Sequence, residues 1–230
     1  MQQKQEIYET ARAIVSFTDS YTQNKQGKQN EQPESESIPS LTDIASSLQF
    51  LRNQIRNNNN TRKQVIQIPK LLKSITKLSL YKIGIHINLD VDNQRLDVRH
   101  WSRECLYWIQ QFGDEQDQSE LVNNEYGRVM SISLCTAGGK GEEQDKDIRN
   151  GFMYISDFLR ELHEVRNNDW QPSFQPLPLL ARRSEEQIEE EGANEEIDAQ
   201  MNNKGMNGSY LSVWANMVKA ATLNRFIRRD

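Results

Sequence analysis

Ser40-Leu41-Thr42-Asp43-Ile44-Ala45-Ser46-Ser47-Leu48-Gln49-Phe50-Leu51-Arg52-Asn53-Gln54-Ile55 is the clearest structural statement in the chain. Leu41, Ile44, Leu48, Leu51 and Ile55 step by three or four residues, so they share one side of a helix. Ser40, following Pro39, stands where a hydroxyl caps a first turn. The asparagines of 57–60 then break the pattern.

Working outward, the same period recurs. Upstream, Ile7, Ala11, Ile14, Val15 and Thr18 form one stripe, which decays into a polar stretch at 22–37 that reads as a flexible loop. Downstream, residues 64–82 carry Val65, Ile68, Leu71, Leu72, Ile75, Leu78 and Leu80 on a broad apolar face, predicting one helix with Pro69 in its first turn. Ile83, Ile85, Ile87, Leu89 and Val91 alternate instead. They predict a helix end followed by an extended connection, with a short strand as the rival.

Residues 97–112 hold Val98, Trp101, Cys105, Trp108, Ile109 and Phe112 at helical spacing, stopped by Gly113. Residues 119–135 and 145–165 predict two further helices, separated by a glycine-rich loop at 136–141. Pro172, Pro176 and Pro178 make 167–178 an extended connection, since each lacks a backbone donor. A helix over 179–203, in which Ser184 and Gln187 resemble a capping box, and a last helix over 209–227 complete the reading.

A helix with one greasy stripe must find a neighbour to cover it. The expected fold class is therefore all-α, built of stacked helical hairpins in a single domain over 1–230, with an irregular helical bundle as the alternative. Hydrophobic residues make up 36% of the 230, and mean hydropathy is −0.82. A stack with much surface per residue accommodates that polarity.

The net charge of −5 disfavours a nucleic-acid partner, which needs a basic face. Two cysteines, Cys105 and Cys135, build no disulfide scaffold and point to a reducing compartment. No signal peptide and no membrane span is legible, so the expected location is intracellular: the cytoplasm, or else the nucleus.

Two stretches resemble the armadillo/HEAT class of helical repeats: Ile38-Pro39-Ser40-Leu41 opening a helix, and the Trp101-to-Phe112 helix leading into 121–135. Residues 138–230 also look similar to a C-terminal region recurrent in protist proteins with such repeats. That likeness runs through Phe174-Gln175-Pro176-Leu177-Pro178-Leu179-Leu180 and Glu190-Glu191-Gly192-Ala193-Asn194-Glu195-Glu196-Ile197. The likeness is one of pattern and covers roughly two thirds of the chain. The chain departs from the class in spacing and in lacking a glycine between the first two helices of each unit. The resemblance implies an α-solenoid that binds a partner and shares no catalytic residues.

Candidate chemistry is sparse. Gly138-Gly139-Lys140-Gly141 lacks the Ser or Thr, the preceding strand and the spacing of a phosphate loop. His86, His100 and His163 sit at no ligand spacing, so neither metal nor cofactor is expected. Cys105 lies in an apolar stripe, where a thiol is inert core.

Eight carboxylates between Glu185 and Asp198, Glu189 and Glu190 among them, form a solvated face that can meet a basic segment. Lys219, Arg225, Arg228 and Arg229 make the C-terminal end basic. Trp101 and Trp108, seven apart, read as core; Tyr107 lies off their face and reads as a surface anchor.

The expected function is that of a protein-interaction scaffold without catalysis, holding a peptide or partner helix on its helical surface. Tyr107, Glu189, Glu190, Arg225, Arg228 and Arg229 are its candidate contacts. The rival is a regulatory helical region working beside a catalytic domain such as a kinase.

Overall fold

In the computed structural model, the 40–55 stripe becomes helix α2, Leu41–Asn57, with Ile44, Leu48, Leu51 and Ile55 fully buried. The structure describes residues 2–26, 40–57, 59–135, 145–201 and 212–220. Ser40 Oγ accepts from the Asp43 N–H at 3.1 Å, and Asp43 Oδ2 accepts from the Ser40 N–H at 3.1 Å. This reciprocal pair satisfies donors that the first turn would otherwise strand.

The fold class is all-α. Ten named helices and a helical stretch over 212–220 account for the regular structure among the described residues, apart from one isolated antiparallel bridge between Arg166 and Phe174.

The chain divides into two compact units, Met1–Ile109 and Gln110–Asp230. In the first, α1 (Gln2–Gln26) packs against α2 and against α4 (Leu71–Leu78), and α3 (Asn59–Ile66) joins them. Residues 22–26, expected in a loop, continue α1. No breaker intervenes before Gly27, and Thr22 Oγ1 donates back to the Thr18 carbonyl at 2.7 Å. The rest of the expected loop lies outside the described residues.

The single helix expected over 64–82 is two. Pro69 falls between α3 and α4 rather than in a first turn, because it offers no N–H and biases Ile68 away from helix. Lys70 then takes a left-handed φ of 65° to restart the chain as α4. Residues 85–88 carry no regular structure and form no strand among the described residues. Helix α5 (Leu89–Phe112) opens earlier than expected, since Asn88 Oδ1 accepts the Val91 N–H at 3.0 Å and so caps it.

Three arginines on α5, spaced by one turn, give the first unit its polar core. Arg95 Nη1 donates to Ile85 O at 2.6 Å, Arg99 Nη1 to Tyr81 O at 3.2 Å, and Arg103 Nη2 to Ser79 O at 3.1 Å. These carbonyls lie past the end of α4, in chain that makes no helix ladder of its own, so side chains must satisfy them. All three side chains are buried.

In the second unit, α7 (Tyr126–Cys135) packs against α6 (Glu115–Asn123), α8 (Asp145–His163), α9 (Pro178–Glu190) and α10 (Ala193–Met201). A methyl on Gly151 of α8 would lie 2.8 Å from Leu134 Cδ2, so glycine there lets α8 approach α7 closely. The helix expected over 119–135 breaks at Glu125, whose φ is 64°. The helix expected over 179–203 breaks at Gly192, whose φ of 69° glycine adopts without strain.

The expected capping box at Ser184 is corrected. Ser184 sits inside α9, where its Oγ donates to Leu180 O at 2.8 Å. The working box belongs to α6. Asp114 Oδ1 accepts from Asp117 N–H at 3.2 Å, and Asp117 Oδ2 from Asp114 N–H at 2.9 Å. Pro178, placed in the extended connection, is instead the first residue of α9, the one helical position where its missing N–H is harmless.

Candidate functional site: a proline-walled groove in the second unit

The connection between α8 and α9 contains few residues that can pack on their own, so one side chain organises it. Arg166, with a side chain 3% exposed, donates from Nε to Pro172 O at 2.8 Å and from Nη1 to Glu161 Oε2 at 2.9 Å. Its Nη1 and Nη2 also reach carbonyls at the end of α5: Gln111 O at 3.3 Å, and Gly113 O just past the helix. The guanidinium lies 4.1 Å from the ring centroid of Phe174, and the Arg166 and Phe174 backbones exchange hydrogen bonds at 3.0 and 3.1 Å.

Glu161 also accepts from Gln110 Nε2 at 2.7 Å. Burial pushes the Glu161 carboxyl up from its ordinary range, with Arg166 pulling against it; burial likewise lowers Arg166, with Glu161 opposing.

This anchor fixes the strand of chain that follows. The Leu177 N–H donates to Leu162 O at 2.8 Å, tying the segment to α8. Pro176, Leu177, Pro178, Leu179 and Leu180 then form one wall of a groove of about 660 Å³. Asp114, Glu115, Gln116 and Ser119 of the α6 start form the opposite side. Leu179 is 83% exposed, the most exposed large apolar residue described. Neither an arginine nor a lysine lines the groove.

A second cavity, of about 260 Å³, lies beside the Arg166 anchor and is lined by Glu164, Val165, Asn168 and Trp170 among others. Trp170 is 62% exposed and meets Phe112 edge-on at 5.9 Å.

The residues expected to carry function fall elsewhere. Tyr107 is half-buried and edge-on to Trp108 at 5.3 Å. Trp101 and Trp108, expected in the core, are half-buried as well. The buried face of α5 instead carries Val98, Ser102, Cys105, Leu106 and Ile109 with the three arginines. Trp108 lies under Arg56 and Arg52, 4.8 and 5.4 Å from its centroid, and its Nε1 donates to Glu104 at 3.3 Å.

Glu189 and Glu190 are exposed on the last turn of α9. Their neighbours are engaged within the fold: Glu185 with His163 at 2.7 Å, Glu186 with Arg182 at 3.0 Å, Glu191 with Arg128 at 2.6 Å, and Asp198 with Lys219. Arg225, Arg228 and Arg229, and the glycines of 138–141, lie outside the described residues. Cys105 is fully buried. Burial first, then the Glu104 charge, pushes its thiol up, so it stays protonated and unreactive.

The groove residues were missed from sequence. The signal for them was present in Pro176-Leu177-Pro178-Leu179-Leu180, an apolar run whose prolines keep it from continuing as buried helix.

No family model matches the chain, and no curated protein matches it. Among solved structures, a designed armadillo repeat protein is similar at 12% identity, over 80% of this chain and 94% of that one, with a TM-score of 0.28. A superposition that loose carries no argument about what this protein does. No described helix is long and apolar enough to cross a membrane.

Proposed function

We propose that this protein is an intracellular interaction scaffold of the helical-repeat kind, which acts by holding a protein partner and not by catalysis. The partner's segment lies in the groove between the α6 start and the 176–180 wall. The observation that carries this reading is Leu179, 83% exposed on an apolar wall. Exposing a leucine forgoes roughly 1.5–3 kcal/mol of burial, and an apolar surface set in a concavity with polar edges is the usual form of a docking site. Tyr107, Glu189, Glu190 and the C-terminal arginines Arg225, Arg228 and Arg229 are secondary contacts in this proposal.

Selection from a displayed random-peptide library on the full chain tests it. The expected result is a set of enriched peptides that compete with one another and bind Leu179→Ser at least about tenfold more weakly. Failure to enrich any peptide, or enriched peptides indifferent to Leu179→Ser, would contradict the groove as the docking site.

A further inference from the structure

The groove's own backbone restricts what can occupy it. Pro176 and Pro178 have no N–H, and the Leu177 N–H is spent on Leu162 O. Three consecutive residues of the wall thus offer no donor, so an extended peptide cannot add to it as a strand. A helix, whose backbone hydrogen bonds are already made, meets that restriction.

The wall's other donors sit at its far end. Leu177 caps α9 without a side-chain bond, so the first-turn N–H groups of Leu179 and Leu180 have no intrahelical acceptor. The free carbonyls at a partner helix's C-terminal end are the matching group.

Charge decides the rest. The starts of α6 and α9 both face the groove, and each helix start is worth about half a positive charge. Asp114 brings a negative charge that it shares with Arg166, and Glu115 a second. Asp114 is committed to its cap, whereas Glu115 is exposed and makes no ion pair with any described residue.

We infer that the occupant is a short amphipathic helix of a partner protein, with an apolar stripe toward Leu179 and lysine or arginine in its last turns. This inference rests on the groove being the docking site.

Fluorescence anisotropy on the full chain tests it, using three labelled synthetic peptides of about 18 residues, roughly five turns. One is a leucine-striped helix with lysines in its last two turns. The second replaces those lysines with glutamate, and the third places proline at its centre. The lysine-ended helix is expected to bind, to weaken as salt rises, and to lose about tenfold or more on Leu179→Ser. Glu115→Gln is expected to cost a few-fold.

Equal binding by the glutamate or proline peptide would overturn the inference, as would no binding by the lysine-ended one. If peptides selected from the library still depend on Leu179 in that event, the docking site stands and only the occupant is wrong. If they do not, both fall.

Discussion

Both units face the same problem and solve it differently. Each contains carbonyls at or beyond a helix end that the backbone leaves without a partner, and each supplies arginine to them. The first unit spreads the task over Arg95, Arg99 and Arg103, each with a carbonyl past α4. The second gathers most of it in Arg166, which serves carbonyls at the end of α5, Pro172 O and Glu161 together, with Gln118 and Gln171 donating to the same α5-end carbonyls. A distributed seal tolerates the loss of one member. A concentrated one also holds the chain beyond it, and here that chain is the groove wall. The first unit has exposed apolar residues too, but Ile85 and Ile87 lie on an open connection and Leu89 on the first turn of α5. Only in the second unit does the seal lead into a described groove.

The largest way to break the comparison is Arg166→Ala. It leaves Glu161 buried without its counter-charge, while Gln118 and Gln171 still donate to the carbonyls at the end of α5, so urea unfolding should show a loss of about 3–5 kcal/mol. Arg103→Ala removes one donor from Ser79 O and should cost about 1–3 kcal/mol in the same assay. Equal losses from the two substitutions would erase the distinction between the seals.

A smaller effect concerns pH. Burial raises the Glu161 carboxyl in the folded protein, so folding favours its protonated form. Its contribution is fully present below the unfolded carboxyl range and fades as pH rises through the folded value. Glu161→Gln should therefore flatten the pH slope of stability across that window, by less than about 1.4 kcal/mol per pH unit. A steeper slope in the variant would reverse the assignment. Leu179→Ser should move stability least, within about 0.5 kcal/mol, because the side chain it removes is already in water.

Helix existence was legible in the sequence because a stripe at three- and four-residue steps reports burial directly. The 40–55 stripe and the Gly113 stop both read correctly for that reason. Breaks inside long stripes were not legible. Lys70 and Glu125 adopt left-handed backbone without a glycine to announce it, so two helices read as one on either side of each.

The buried arginines were invisible for a related reason. Arg95, Arg99 and Arg103 have a helical period of their own, but a charged residue reads as surface until its carbonyl partners are seen. The indoles misled in the opposite sense, since Trp108 is partly covered by the side chains of Arg52 and Arg56 rather than by the core. At the groove, 176–180 supplied the composition, but only the tie from Leu177 to Leu162 shows that the prolines face an acidic helix start across a cleft.

Amide hydrogen exchange on the full chain, with and without a bound library-selected peptide, tests the central claim most directly. The account predicts the strongest slowing of exchange at 114–119 and 177–181, with none gained around 85–89. Protection appearing in the first unit while the groove amides exchange unchanged would contradict it.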